Sequence, residues 1–233
     1  MFHFQGHTLI GRRGDETTAS KPLRSESAGL RYYCGTAVGQ KIALTFDDGP
    51  SEWTTDLLDV LGSKGAKATF FVMGKAIAGR EEILRRVVAE GHELGNHFYS
   101  HTDSRQLSDR EICQELSITA ELLAKIGCGS PTLVRPPYGV DIERVSRLAG
   151  RLGYGPIVLW TVDPRDWCAE SDKIAEVVTD QAHPGAIVLL HDGRADASPG
   201  HETRRHTVLA VEKLVVELGA SGYSFVPVSK ILQ

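Results

Sequence analysis

The stretch KIALTFDDGP, residues 41–50, decides how the rest of the chain is interpreted. Its apolar run, residues 42–46, is short and is followed by the turn-forming residues Asp47, Asp48, Gly49 and Pro50. An apolar run of this length that ends in turn residues predicts a buried β-strand. Two adjacent carboxylates at the end of such a strand repel each other, and a metal ion or an arginine would relieve the repulsion. The alternative is a plain turn, because Asp, Gly and Pro are common turn residues.

The same strand-like unit recurs along the chain with helical patterns between the copies. Further strands are predicted at 68–73, 132–135, 157–162, 186–190 and 224–228, with a weaker one at 92–95. Apolar residues at helical spacing lie around 57–61 and 83–88, and over 108–126, 142–152, 171–182 and 204–219. Alternating strands and helices predict an α/β fold with a parallel sheet covered by helices. Seven strands favour a barrel or near-barrel, with an open doubly wound sheet as the alternative.

The composition bounds the domain organisation and the classes of partner. Residues 1–40 are rich in Gly, Ser, Thr and charge and are predicted as an N-terminal extension, with an edge hairpin considered around Tyr32 and Tyr33. Residues 41–233 contain no internal repeat or linker and are predicted as one domain. Lys plus Arg number 26 and Asp plus Glu number 30, a net charge of −4. An acidic chain is a poor binder of nucleic acid phosphates.

Two further expectations concern the membrane and the cysteines. No apolar run approaches the ~20 residues of a membrane-spanning helix, so no membrane association is expected. The first 40 residues also lack the apolar core of a secretory signal, which predicts a cytoplasmic protein, or a secreted one if a signal has been removed. The four cysteines form no CxxC pair and are predicted to be ordinary thiols.

Chemically capable side chains come directly after the predicted strands. They are Asp47 and Asp48 after the first strand, His97 and His101 after the weak third, Arg135 at the end of the fourth, Asp163, Asp166 and Trp167 after the fifth, and His191 and Asp192 after the sixth. The carboxyl ends of parallel strands meet at one face of the sheet, where α/β enzymes place their active sites. These groups are therefore predicted to gather at one opening.

Two of these segments predict specific chemistry. His97 and His101 are four residues apart, so on a helical turn they would face the same way. Together with Asp48 they would offer one carboxylate and two imidazoles, a set that binds a divalent metal and leaves positions for water and substrate. Arg135, followed by a rigid Pro-Pro turn, is either a surface arginine or a buried cation that orients a carboxylate.

These stretches resemble the motifs of the polysaccharide deacetylase family, carbohydrate esterase family 4, in the order that the family has them. The matching residues are TFDDG at 45–49, NHxxxH at 96–101, RPPYG at 135–139, DPRDW at 163–167 and LLH at 189–191. The resemblance covers roughly 40–230. It implies a distorted (β/α)7 barrel and metal-dependent hydrolysis of an N- or O-acetyl group.

The resemblance also assigns roles to individual residues. Asp48, His97 and His101 would hold the metal, usually zinc, with cobalt also possible. Asp47 would be the general base for a metal-bound water, and Arg135 would orient it. His191 would be the general acid, and Asp166 would hold it protonated. The remaining roles fall on Tyr138, whose backbone N–H would stabilise the oxyanion, and on Trp167 and Leu189, which would wall the acetyl pocket.

Two features depart from the family pattern, and several functions stay open. Phe98 replaces a small hydroxyl residue and is expected to fill space near the metal or alter the pocket, while the polar segment 194–206 is either a substrate-contacting loop or a solvated one. The expected substrate is an N-acetylated amino sugar: a chitin-like oligosaccharide, a peptidoglycan glycan or a sugar-containing metabolite. The alternatives are an O-acetyl esterase acting on a substrate such as xylan, a cytoplasmic deacetylase of an acetylated natural-product intermediate, an iron(II) oxygenase, and a non-catalytic carbohydrate-binding domain.

Overall fold

The structure is a computed structural model that describes residues 32–33, 39–195 and 203–232. The strands are β1 (Tyr32–Tyr33), β2 (Lys41–Asp47), β3 (Thr69–Val72), β4 (Glu93–Asn96), β5 (Leu133–Val134), β6 (Ile157–Val158), β7 (Ile187–His191) and β8 (Ser224–Phe225). The helices are α1 (Glu52–Ser63), α2 (Glu81–Ala89), α3 (Asp109–Lys125), α4 (Ile142–Arg151), α5 (Ser171–Gln181) and α6 (Arg205–Ala220). The predicted alternation of strands and helices is confirmed.

All the strands pair in parallel, in the order β1-β6-β5-β4-β3-β2-β7, and β8 pairs with β2. The chain just after β6 then crosses to the far edge of the sheet. Thr161 N donates to Ile187 O at 2.9 Å, and Leu189 N donates to Val162 O at 2.9 Å. This contact curls the sheet into a distorted barrel surrounded by helices, so the open doubly wound alternative is wrong.

The two faces of each strand serve different purposes, because successive side chains of a strand point to opposite sides. In β2, Ile42, Leu44 and Phe46 are buried in the large core that includes the helices α1, α5 and α6. Ala43 lies in a separate core inside the sheet, with Ile187 of β7. Asp47 is in register with His191, so the carboxyl ends of β2 and β7 lie side by side.

Three sequence expectations about strand boundaries are corrected. The strand predicted at 157–162 stops at Val158, because Arg135 takes the carbonyl oxygens of Val158 and Leu159 with its guanidinium. The strand predicted at 224–228 stops at Phe225, because Pro227 has no N–H to donate to a ladder. The hairpin considered around Tyr32 and Tyr33 is instead a parallel pairing with β6.

Within the described parts of the chain, no helix combines the length and the apolarity needed to cross a bilayer. Three of the four cysteines, Cys113, Cys128 and Cys168, are free thiols, as predicted. Cys34 lies outside the described residues, as does the stretch 196–202 of the polar segment that follows the sixth predicted strand.

Candidate active site

Asp48, His97 and His101 form a cluster at the carboxyl ends of β2 and β4. Each offers one ligand atom, and these atoms all lie within 4.8 Å of one another. Asp48 Oδ1 is 3.5 Å from His97 Nε2 and 3.3 Å from His101 Nε2. This buried oxygen accepts no hydrogen bond from any described residue. A carboxylate oxygen and two ring nitrogens that converge in this way fit a shared divalent cation.

The electrostatics of the cluster favour a bound positive charge. Burial opposes the ionised form of Asp48, but the neighbouring His97, His191 and His101 rings outweigh it and hold the pKa of Asp48 below its usual range. Burial likewise opposes protonation of His97, yet Asp47 and Asp48 raise the pKa of that ring above its ordinary value. The carboxylates of Asp47 and Asp48 therefore favour a positive charge at this buried position.

The loop that carries the two histidines is not a helical turn, which corrects the expectation from their spacing. Residues 97–103 contain no helix, and Phe98 and His101 both have left-handed backbone conformations, with φ of 64° and 63°. The two rings nevertheless approach each other edge to face, with centroids 5.0 Å apart. Left-handed backbone at non-glycine residues costs energy and concentrates at functional sites.

Phe98 stabilises this loop from behind and does not line the cleft, contrary to the expectation that it fills space near the metal. Its side chain is fully buried in an apolar cluster with Ile112 and Leu116 of α3 and Val134 of β5. Its backbone N–H donates to Asn96 Oδ1 at 2.9 Å. Burial of the phenyl ring offsets the strained backbone at this position.

The orientation of His97 is fixed by its second ring nitrogen. His97 Nδ1 lies 2.7 Å from Arg135 O, a carbonyl that can only accept. Nδ1 therefore carries the hydrogen, and Nε2 presents its lone pair to the cluster. Metal-binding histidines are commonly held in this way, by a carbonyl at the far nitrogen.

Asp47 is held by a fully buried arginine. Arg135 Nη1 donates to Asp47 Oδ1 at 2.7 Å and to Thr45 Oγ1 at 2.8 Å. The guanidinium also stacks on the Phe71 ring, 4.2 Å from its centroid. This arrangement leaves Asp47 Oδ2, which is 3.7 Å from His97 Nε2, facing the cluster.

A second pair joins the buried Asp166 and the partly exposed His191. His191 Nδ1 lies 2.7 Å from Asp166 Oδ1, and His191 N donates to Asp166 Oδ2 at 2.8 Å. Burial disfavours the charged ring, but Asp166 first, and Asp48 and Asp47 after it, raise the pKa of His191 to about 9. Burial raises the pKa of the Asp166 carboxyl, but His191 first, and Thr207 after it, hold that pKa below its usual range. The structure therefore keeps an imidazolium at the cleft near neutral pH.

The cleft that these groups share has a volume of about 600 Å³. The predicted pocket residues Tyr138, Trp167 and Leu189 all line it. Tyr138 is 62 % exposed at the opening, and Trp167 packs edge to face on His191, with ring centroids 5.4 Å apart. The polar segment after β7 contributes Arg194, Ala195 and Arg204 to the lining.

Sequence reasoning missed two residues that shape the site. Trp160 lines the cleft and lies within the predicted strand 157–162, and no role was predicted for it. Thr207 of α6 donates to Asp166 Oδ2 at 2.7 Å. Neither residue follows a predicted strand end, so the rule that selected the other candidates could not find them.

Asp192, which directly follows His191, was predicted to lie at the opening but was given no role. Its Oδ2 accepts from Thr54 Oγ1 at 2.6 Å, and its main-chain N donates to Asp47 O at 3.1 Å. Burial and the nearby Asp48 and Asp47 carboxylates raise the pKa of Asp192 to about 7. A Cβ on Gly49 would lie 2.1 Å from Asp192 Oδ2, so the loop after β2 rests directly on this carboxyl.

The parallel barrel and the residues at its carboxyl edge define a hydrolase of the polysaccharide deacetylase class. A sequence model of that family, described as polysaccharide deacetylase, matches residues 35–157. The chain belongs to the polysaccharide deacetylase family, which confirms the resemblance drawn from the five motifs.

Two curated relatives and one solved structure illustrate the similarity. The chain is 37 % identical over 212 residues to a chitooligosaccharide deacetylase of Bradyrhizobium sp. (strain ANU 289), covering 86 % of this chain and 94 % of that protein. It is 37 % identical over 195 residues to a peptidoglycan-N-acetylglucosamine deacetylase of Bacillus cereus, covering 82 % and 88 %. The crystal structure of the Bc1960 peptidoglycan N-acetylglucosamine deacetylase superposes with a TM-score of 0.78 at 33 % identity, covering 86 % of this chain and 91 % of that one.

Proposed function

We propose that this protein removes the acetyl group from an N-acetylated amino sugar by metal-dependent hydrolysis. One observation carries the proposal: a single cleft brings the Asp48, His97 and His101 cluster together with Asp47 and His191. A base and an acid beside a cation site are the groups that amide hydrolysis requires.

Asp48, His97 and His101 would hold the cation. Zinc is the expected ion, because two imidazoles and one carboxylate are a typical catalytic zinc set, and cobalt would suit the same ligands. When bound, the cation would supply Lewis acidity that polarises the acetyl carbonyl and makes water a stronger acid. Three protein ligands leave room for water and substrate, as a catalytic site needs.

Asp47 acts as the general base. Its Oδ1 is occupied by Arg135, so Oδ2 is the oxygen that accepts a proton from the attacking water. Arg135 holds the Asp47 carboxylate in one orientation through Oδ1 and does not bind Oδ2, the oxygen that accepts the proton. Arg135 itself donates to Thr45 Oγ1 and to the carbonyl of Val158, so the residue that orients the base is itself fixed in position.

His191 acts as the general acid. Asp166 binds Nδ1, so Nε2 carries the proton that faces the cleft, and this proton passes to the nitrogen that leaves as the amine. A pKa near 9 keeps the ring protonated at neutral pH while the proton remains transferable.

The acetyl group is placed by the remaining cleft residues. Trp167 and Leu189 line the cleft and would wall the pocket for the methyl group. The backbone N–H of Tyr138, a residue with a left-handed φ of 61°, donates to the oxyanion as it forms. The names of the relatives support chitooligosaccharides and peptidoglycan glycans as the substrate classes.

The test is acetate release by the full chain loaded with zinc or cobalt. The panel contains chitin oligomers, peptidoglycan fragments, acetylated xylan and N-acetylated sugar metabolites. We expect release from the amino-sugar substrates and none from Asp47→Asn or from chelator-treated protein. Asp180→Asn is the matched control, because it makes the same change at an exposed position of α5 and should leave the rate unchanged.

Each other outcome overturns the proposal in a recognisable way. Release from acetylated xylan alone would indicate an O-acetyl esterase. Oxygen uptake with added iron(II) would indicate an oxygenase. Sugar binding without acetate release, in protein shown to contain metal, would indicate a carbohydrate-binding domain.

A further inference from the structure

Thr207 lies in the first turn of α6, in a helix that none of the five motifs includes. Its side chain is fully buried. Its hydroxyl donates to Asp166 Oδ2 at 2.7 Å, across 41 positions of sequence. A threonine in a helix can satisfy its hydroxyl on a nearby backbone carbonyl of the same helix. Thr207 bonds to a carboxylate of the site instead.

The hydrogen bonds to Asp166 show what this contact contributes. Oδ1 accepts from the ring of His191 at Nδ1, 2.7 Å away. Oδ2 accepts from the main-chain N of His191 at 2.8 Å and from Thr207 Oγ1 at 2.7 Å. The two donors at Oδ2 fix the rotation of the carboxylate, and this rotation decides whether Oδ1 faces the ring.

We propose that Thr207 is a positioning residue for the acid–carboxylate pair: its hydroxyl locks the Asp166 carboxylate so that His191 keeps its proton-bearing Nε2 aimed into the cleft. The expected effect of Thr207 on the rate of acetate release rests on the proposed function. Its effect on the orientation of the His191 ring does not, because the ring is held in the absence of substrate.

The roles of the two donors differ in a way that makes the proposal testable. The main-chain N–H of His191 belongs to the same residue as the ring that must be oriented. Thr207 is the donor that comes from another element, so it ties the pair to α6. Without it, the carboxylate can turn about its Cβ–Cγ bond, and the Nδ1 hydrogen bond weakens.

The experiment compares Thr207→Val, which keeps the shape and removes the hydroxyl, with Thr207→Ser, which keeps the hydroxyl. We expect kcat for acetate release to fall about 10-fold in Thr207→Val with KM within about twofold, and the serine variant to stay close to wild type. Thr119→Val is the matched control, because it removes an equally buried hydroxyl that bonds only within α3. It should leave kcat unchanged.

A spectroscopic measurement separates this inference from the proposed function. In the 15N-labelled, zinc-loaded full chain, the His191 Nδ1–H signal is assigned by its loss in His191→Gln. We expect the signal to be sharp in wild type and Thr207→Ser and to broaden or disappear in Thr207→Val. Failure of wild type to release acetate would overturn the proposed function and leave this measurement valid.

An unchanged Nδ1–H signal in Thr207→Val would overturn the inference, as would an unchanged kcat. If Thr207→Val does not fold, Thr207→Ala removes the same hydroxyl without a branched side chain, and the same two readouts decide.

Discussion

Replacement of Asp166 by asparagine should make the loss of activity depend on pH. The Asp166 carboxylate is the largest favourable influence on the charged form of His191, whose pKa it helps raise to about 9. Asparagine keeps the size of the side chain and removes the negative charge. The pKa of His191 should then fall to about the ordinary imidazole value of 6.5 or below.

The expected magnitude follows from the protonated fraction of His191. At pH 8 that fraction is about 0.9 for a pKa near 9 and about 0.03 for a pKa near 6.5, a loss of about 30-fold. At pH 6 the ring is largely protonated in both proteins, and the loss from this cause is less than about twofold. The wild-type to variant ratio of kcat/KM should therefore rise about 20-fold from pH 6 to pH 8.

The assay is kcat/KM for acetate release from a chitin oligomer, measured from pH 5.5 to 9 with both proteins fully zinc-loaded. Any loss of ring orientation lowers the rate by the same factor at every pH, so the slope of the ratio isolates the electrostatic effect. Asp180→Asn is the control, because it removes the same charge at an exposed position of α5, and its ratio should not vary with pH. A ratio for Asp166→Asn that stays constant from pH 6 to 8 would refute the reasoning.

Three further results are expected. Arg135→Met leaves the buried Asp47 carboxylate without its partner, and urea denaturation should show a loss of about 3–5 kcal/mol in the free energy of unfolding; a loss below about 1 kcal/mol contradicts this. Gly49→Ala places a Cβ 2.1 Å from Asp192 Oδ2, so the zinc affinity should fall at least about 10-fold. Competition with a chromophoric chelator measures this affinity, and Gly65→Ala, the same change at an exposed position, should leave it unaltered. Burial lowers the pKa of His92 to about 4. Between pH 6.5 and 4 the His92 side chain is therefore protonated in the unfolded chain but not in the folded chain, and the Tm should fall as the pH drops through this range. This fall should be smaller in His92→Gln, and an equal fall in both proteins would show that His92 is not its cause.

The sheet and the strand-end residues could be predicted because their signals are local. An apolar run followed by polar residues marks the end of a parallel strand, and all such ends lie at one edge. Asp48 and His191 were found in this way although 143 positions separate them, since each is recognised from its own few neighbours.

The residues that were missed depend on contacts that local sequence does not encode. Thr207 sits at a buried position of an amphipathic helix, where a threonine looks like any small core residue. The spacing of His97 and His101 suits a helical turn, but the backbone turns left-handed at Phe98 and at His101. Phe98 adopts this conformation because its ring is buried against α3, a contact that the four-residue spacing does not reveal.

The order of the strands also has a consequence for synthesis on the ribosome. The strands β2, β3 and β4 are neighbours both in sequence and in the sheet, and with their loops they supply Asp48, His97 and His101. His191 follows His101 by 90 positions, which at about 5–20 residues per second is on the order of 5 to 20 s of translation. Each nascent chain therefore carries Asp48, His97 and His101 for seconds before His191 is added. A divalent cation present during that interval would meet the three side chains of the cluster before β7, the strand that carries His191, exists.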